Sequence, residues 1–428
     1  FAGASQAQSL VDIYEMAKSY DAAYLSARAQ YDANLAKADQ GKAQLLPQVG
    51  LSGGATRSQR EVSPTGATTD YSYTTQTAGI NATQPLYRPA NLATYRQSQK
   101  GLELAEAALS QADQDLIVRV SQAYFDVLNA QDSLRLVQAQ KAAVSEQLAS
   151  AKRNFEVGTA TIADTREAQA RFDLATAQEI AVDNDLRVKT VALELLVGKA
   201  GLQPVRIQSN AVLPPVDGQG VDSWIAQSET AHPAIRLARA NLDVAKLETE
   251  KATAGHKPTV DFTLGYNAQK NINGTAVAYS GMSNQINVAS AGITANLPLF
   301  AGFATQNRIR ETTALEEKAR LDLEGAQRQV SQATRTAYLG LQSGLGQVKA
   351  YEAAEASSQV ALDANKLGYQ VGVRINIDVL NSQSQLYQTK RDLAKARYDV
   401  LVGQLKLRQA AGVLKADDLQ PINRLLAP

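Results

Sequence analysis

The sequence predicts a mostly α-helical chain with a minor β component, in which one plan of long antiparallel helices and a β-hairpin is used twice. Two observations predict it. From Pro89 to Phe155 the only glycine is Gly101 and no second proline occurs, while Leu102, Leu109, Leu116, Ala123, Ala130, Val137, Val144 and Ala151 recur at intervals of seven, a heptad seam. Separately, Phe155-Glu156-Val157-Gly158 returns as Tyr369-Gln370-Val371-Gly372, an offset of 214 residues. Asp164 and Asp378, Gln169 and Gln383, Gly198 and Gly412, and Ala123-Tyr124 and Ala337-Tyr338 stand in the same register. The chain therefore reads as a tandem duplication, 1–214 and 215–428.

In each repeat the elements follow in one order. Leu10 to Lys42 reads as a helix, closed by Pro47. A hairpin over 47–86 follows, with Pro64 and Gly66 in its turn and a β-branched and aromatic bias from Tyr71 to Leu86. The long helix, 89–155, carries a second seam through Val120, Val127, Leu134, Leu148 and Phe155. At 1.5 Å per residue it would be roughly 100 Å long, too long for a compact globule. Gly158 ends it and a return helix runs over 164–197. A proline-bearing linker leads to the second repeat, whose helix runs from Asp222 to Thr253 and whose hairpin spans 258–299. There Val260, Phe262, Leu264 and Tyr266 alternate with Thr259, Asp261, Thr263 and Gly265, so one face is apolar and the other polar. A long helix over 305–367, a return helix over 376–409 and a tail to Pro428 complete the chain, and Trp224 is expected to pack the junction.

Composition excludes several classes. With 43 Lys+Arg against 42 Asp+Glu there is no basic excess to hold a nucleic acid. With no cysteine and two distant histidines, a thiolate metal site and an H-E-x-x-H motif are absent, and neither metal nor cofactor is expected. No nucleophile and base stand in a recognisable setting, so no enzyme is expected. No apolar run approaches the roughly 20 residues of a membrane-spanning helix. Phe1–Ala7 is small and polar, compatible with the end of a leader.

The strands are about 10 residues or more, the length of a tilted membrane strand, and a soluble hairpin with one buried face would have the same pattern. Four strands cannot close a barrel, and open edges are not viable in lipid. Within a membrane, the chain would have to pool strands with identical neighbours; three copies would supply twelve.

Leu45-Leu46-Pro47, the strand ends Pro85-Leu86-Tyr87 and Pro298-Leu299-Phe300, and the paired Phe155-Glu-Val-Gly and Tyr369-Gln-Val-Gly turns resemble the TolC family of outer-membrane exit ducts. The resemblance covers nearly the whole chain. It implies a homotrimer whose pooled strands form a twelve-stranded barrel in outer-membrane lipid, continued through the periplasm of a Gram-negative bacterium by a trimeric α-barrel. Its partners would be a periplasmic adaptor and an inner-membrane transporter. Efflux and type I secretion are the functions implied, and without a phosphate-binding loop the conduit is passive. A soluble trimeric scaffold or fibre could use the same heptads; the alternating strands argue against it.

The resemblance also implies a gate. Tyr369, Arg374 and Asp378 coincide with the family's periplasmic aperture, with Asp164 as the matching partner of Arg374 and Tyr369, and three copies of Asp378 would form an acidic ring. Asn381 stands where a second aspartate is expected and Ala163 where a hydroxyl residue is expected, which implies a weaker cation trap and fewer latch bonds. Read without the family, Asp164 and Asp378 are helix-capping residues. Val157, Gly158, Thr159 and Val371, Gly372, Val373 coincide with the family's adaptor-contact tips, although a helix-to-helix turn would account for both glycines.

Overall fold

The computed structural model describes residues 8–62, 69–208, 212–215, 220–274 and 283–426. The Phe1–Ala7 segment and the Pro64-to-Gly66 turn lie outside them. The same element order occurs twice. The first pass comprises α1 (Leu10–Tyr20), α2 (Ala22–Ala43), β1 (Gln48–Val62), β2 (Thr69–Tyr87), α3 (Pro89–Glu156) and α4 (Ile162–Val197). The second comprises α5 (Val221–Ala231), α6 (Pro233–Thr253), β3 (Thr259–Ile272), β4 (Asn284–Asn296), α7 (Ala304–Gln370) and α8 (Asn376–Ala410), after which a 3-10 turn and α9 (Leu419–Asn423) end the chain.

Sequence repeats and spatial units are different partitions. One unit takes Phe1–Ala29, Glu106–Leu237 and Glu324–Pro428; the other takes Gln30–Ala105 and Ala238–Leu323. Each draws on both repeats.

The first unit is helical. The heptad seam of α3 is its spine: Leu116, Ala130, Val137, Val144 and Ala151 are buried, and Val120, Val127 and Leu148 of the second seam are buried beside them. Leu116, Val120, Tyr124 and Leu128 pack with Leu193 of α4, Leu401 and Leu405 of α8, and Leu419 and Ile422 of α9. The C-terminal segment, expected as a tail, thus enters the core. Tyr124 is fully buried and its hydroxyl donates to the Val205 carbonyl at 2.9 Å, a packing role as expected. Trp224 packs against Leu341, Val400 and Leu407.

Three expectations need correction. The helix expected from Leu10 to Lys42 breaks at Asp21, whose ψ of 116° leaves the helical region. Its carboxylate accepts the Tyr24 N–H at 2.8 Å, restarting a helix, and takes both Arg119 guanidinium nitrogens at 2.9 and 3.0 Å. In the second repeat the helix expected from Asp222 breaks at His232, because the ring of Pro233 disfavours helical backbone in the residue before it. Proline is favoured at the first position of the new helix. Phe155, placed in a seam, is 44% exposed at the end of α3, where no further turn covers it.

The second unit carries one antiparallel sheet in the order β1-β2-β3-β4. Residues opposite each other share a face, so the register assigns the faces. Leu51, Ile80, Tyr266 and Ala289 form one row across all four strands, and Val49, Ala82, Leu264 and Ala291 form another. Between them runs Gly50, Asn81, Gly265 and Ser290, facing the other side. In a single chain the apolar face is uncovered: Leu51 is 86% and Ile293 68% exposed. Where β2 meets α3, Arg88 makes a bidentate pair with Asp261 at 2.8 and 2.5 Å.

Candidate functional site

The two helix-to-helix turns are built alike. After α3, Gly158 adopts φ 80°; its N–H donates to the Phe155 carbonyl and the Thr159 N–H donates back to the Asn154 carbonyl at 2.8 Å. After α7, Gly372 adopts φ 80°, and Val373 N–H reaches the Gly368 carbonyl at 2.9 Å. These are left-handed glycine caps, which satisfy helix-end carbonyls while reversing the chain. Their tips present apolar side chains outward, with Val157, Val371 and Val373 between 65% and 75% exposed.

Behind the tips, the ends of α3, α4, α7 and α8 line an open cleft of about 840 Å³, bordered by Asn154, Asp164, Tyr369, Arg374, Asn376 and neighbouring residues. The structure therefore brings Asp164, Tyr369 and Arg374 to one place. Their bonds within one chain are not those expected. Asp164 closes a capping box, accepting the Thr161 N–H at 3.0 Å and hydroxyl at 2.7 Å while donating its own N–H to the Thr161 hydroxyl. The carboxylate facing Arg374 is Asp378, at 3.7 Å and one turn away on the same chain. Tyr369 packs against Leu362, Val379 and Leu386, and its hydroxyl accepts from the Asn154 amide at 3.2 Å. Asn381 is not idle: its side-chain oxygen accepts from Arg171 of α4 at 3.0 Å.

Sequence reading passed over Asn154, Gln147 and Asn376. Asn376 is 1% exposed. Its side-chain oxygen accepts from Gln147 of α3, and its amide donates to the Asp164 carbonyl at 3.4 Å. Asn365 of α7 donates to Ser382 of α8, whose hydroxyl donates to the Asp378 carbonyl at 2.8 Å. Asn376 opens α8, one turn before the buried Val379 and Leu380, and its position at the head of that apolar stripe was the available signal. Farther from the tips, Lys141 of α3 meets Glu179 of α4 at 2.8 Å, and the bond from that lysine holds the Glu179 carboxyl below its usual range. Arg391 of α8 donates to Gln140 of α3 at 3.0 Å. The polar bonds at the turns thus join all four helices, while those farther from the tips continue along α3.

A sequence profile described as outer membrane efflux protein matches residues 13–199 and again 224–413, one match for each repeat. The chain belongs to the outer membrane efflux protein family. Both glycine turns fall inside the matched segments. Among relatives, the outer membrane protein TolC of Vibrio cholerae serotype O1 is 32% identical over 417 residues, spanning 97% of this chain and 93% of the relative. The alkaline protease secretion protein AprF of Pseudomonas aeruginosa is 32% identical over 425 residues, spanning 96% and 86%. Among solved structures, the outer membrane protein VceC of Vibrio cholerae superposes with a TM-score of 0.80 at 20% identity, covering 94% of this chain and 96% of that one. The Campylobacter jejuni CmeC outer membrane channel gives 0.78 at 16% identity, covering 98% and 90%.

As an outer membrane efflux protein, the chain is an outer-membrane duct of the kind used in efflux and secretion, and the soluble scaffold is set aside. None of the described helices is long and apolar enough to cross a bilayer.

Proposed function

We propose that three copies pool their sheets into one closed barrel and their helices into one tunnel, forming a passive conduit gated at the paired turns and energised by partners. The carrying observation is the sheet: β1 and β4 are its two edges, and a mostly apolar band on one face stands uncovered, with a mostly polar face opposite. An edge in lipid leaves backbone groups unpaired at several kcal/mol each. Pairing β4 of one copy with β1 of the next removes every edge, turns the Leu51 face to lipid and the Asn81 face to water.

The helices support the same assembly. On α4, Ile180, Val188, Val191 and Leu195 are 52–73% exposed, and on α7 Leu339, Val360 and Leu367 are 54–68% exposed. These two helices, rather than the more deeply buried α3 and α8, would meet across copies. Around the ring, Asp378 of each copy contributes a carboxylate at the narrow end, and Arg374 holds it. Freeing Arg374 from Asp378 breaks an exposed pair, worth only about 0–1 kcal/mol. The buried Asn376 and the Tyr369 bond add to that bias. The valine tips are the surface for a periplasmic adaptor's helical hairpins, through which an inner-membrane transporter would deliver cargo. AprF is by its name a protease secretion protein, which puts unfolded protein beside small solutes among the cargoes such a conduit would pass.

Conductance in a planar lipid bilayer tests this reading. The parent should show small, cation-preferring steps; Asp378→Ala should lose the preference and Arg374→Ser should enlarge the steps. Variants that match the parent would remove the gate but leave the pore. A protein that assembles yet never conducts would remove the duct.

A further inference from the structure

The apolar face of the sheet ends on cations. Outward from the Leu51 row, the next row on the same face is Gly53, Ala78, Ala268 and Asn287. The following one is Ala55, Gln76, Lys270 and Gln285, and the one after that contains Arg57, Thr74 and Ile272. Even offsets along each strand keep these residues on the face of Leu51, Ile80 and Tyr266. From Val260 to Ala268 the face is apolar along β3, a span of roughly 27 Å along the strand and about 20 Å of height at a tilt near 40°. Lys270 and Arg57 stand just past that band. They lie toward the hairpin ends, away from the strand ends that join the helices, and so on the outer side of an outer-membrane barrel.

Among the described residues neither cation belongs to an ion pair; Arg57 donates only to the Ser72 hydroxyl, at 3.4 Å. Glu61 is two rows farther out on β1. Strand spacing puts the Cα atoms of Arg57 and Lys270 roughly 12 Å apart, with β2 between them. There Thr74 and Gln76 present a hydroxyl and an amide on the same face. Two cations and two neutral donors, at the depth where hydrocarbon gives way to headgroups, match a phosphate that carries acyl chains. The chains would lie along the apolar rows below.

We propose that Arg57, Thr74, Gln76 and Lys270 form a site on each chain for the phosphate of an anionic outer-leaflet lipid. The site rests on the outer-membrane barrel reading above. Its test is lipid binding by the detergent-solubilised assembly, followed by native mass spectrometry with added dioleoyl phosphatidate, with dioleoylglycerol as the phosphate-free probe and with inorganic phosphate as competitor. The parent should retain phosphatidate on the order of tenfold more tightly than R57Q/K270Q. Dioleoylglycerol should not distinguish the two, R57K/K270R should restore the parent's retention, and Lys318→Gln, remote on α7, should leave it unchanged. Equal retention by the parent and R57Q/K270Q overturns the site. Displacement by inorganic phosphate at matched concentration overturns the lipid as its source. If the double variant does not assemble, R57Q and K270Q are read singly, each with a smaller loss. Bilayer conductance separates the two readings: a conducting parent without headgroup preference loses only this site, whereas a parent that never inserts loses the barrel as well.

Discussion

The Asn154 amide donates to the Tyr369 hydroxyl at 3.2 Å, tying the last turn of α3 to the last turn of α7 across the duplication. Asn154 also offers its carbonyl to the Thr159 N–H and hydroxyl, so one residue closes its own turn and holds the other. A net hydrogen bond is worth about 0.5–1.5 kcal/mol, and three symmetric copies would multiply that bias.

Tyr369→Phe removes this bond and keeps the packing against Leu362, Val379 and Leu386. The expected outcome is a larger or more often open conductance with an unchanged melting temperature. Asn154→Ala should do the same, and the double variant should add little beyond either single one. Single-channel recordings of the three variants check this.

Asp21 and Arg119 give a pH dependence. Burial opposes ionisation of Asp21, but the Arg119 hydrogen bonds, the Tyr24 N–H and the guanidinium charge outweigh it and hold the carboxyl below its usual range. Because the folded state favours the ionised form, the stabilisation is present above the ordinary carboxylate range and is lost as pH falls through it toward the depressed folded value. Asp21→Asn should lower stability at neutral pH by about 1.5–3 kcal/mol and flatten its decline below pH 4. Thermal melts between pH 7 and pH 3 would show both effects.

Gly412 and Gly158 separate crowding from backbone strain. Both have positive φ, 72° and 80°. A Cβ on Gly412 would lie 2.3 Å from the His232 Cα, whereas one on Gly158 would meet nothing within 4 Å. Gly158→Ala should cost only the left-handed penalty of about 1–2 kcal/mol. Gly412→Ala should cost more and shift the break between α5 and α6, read as a lower melting temperature or loss of assembly.

The two faces of the sheet should tolerate charge differently. Leu51→Arg, on the apolar face, should weaken membrane assembly by about 2–4 kcal/mol if it sits near the bilayer midplane. Asn267→Lys, on the polar face, should insert normally and shift selectivity toward anions. Assembled protein in membranes and reversal potentials distinguish the two.

Much of the fold was legible because its signals are local and periodic. Heptads marked α3, the glycine turns marked both helix reversals, and alternation marked β3 and β4. Pro233 is a readable signal of the α5 break that the expected 222–253 helix ignored; at Asp21 the cap on the Tyr24 N–H is local, and only the pairing with Arg119 lies far along the chain. The site was legible in its members but not in its bonds. Asp164, Tyr369, Arg374 and Asp378 do gather at the turns, yet within one chain Asp164 caps its own helix and Tyr369 turns to Asn154.

The sequence by itself determined the duplication, the lengths of the two long helices, the reversal points and which face of each strand is apolar, because each follows from residue type and spacing along one chain segment. Only the tertiary structure decided that β2 pairs with β3, that the C-terminal segment enters the helical core, and that Asn376 is buried against Gln147 and the Asp164 carbonyl. The β2–β3 partners lie 173 to 198 residues apart and Asn376 lies 229 and 212 residues from Gln147 and Asp164, and a period of seven or of two fixes a face without fixing which residue of another element lies opposite. Hydrogen bonds require that opposition to within about half an ångström, and packing between whole elements sets it.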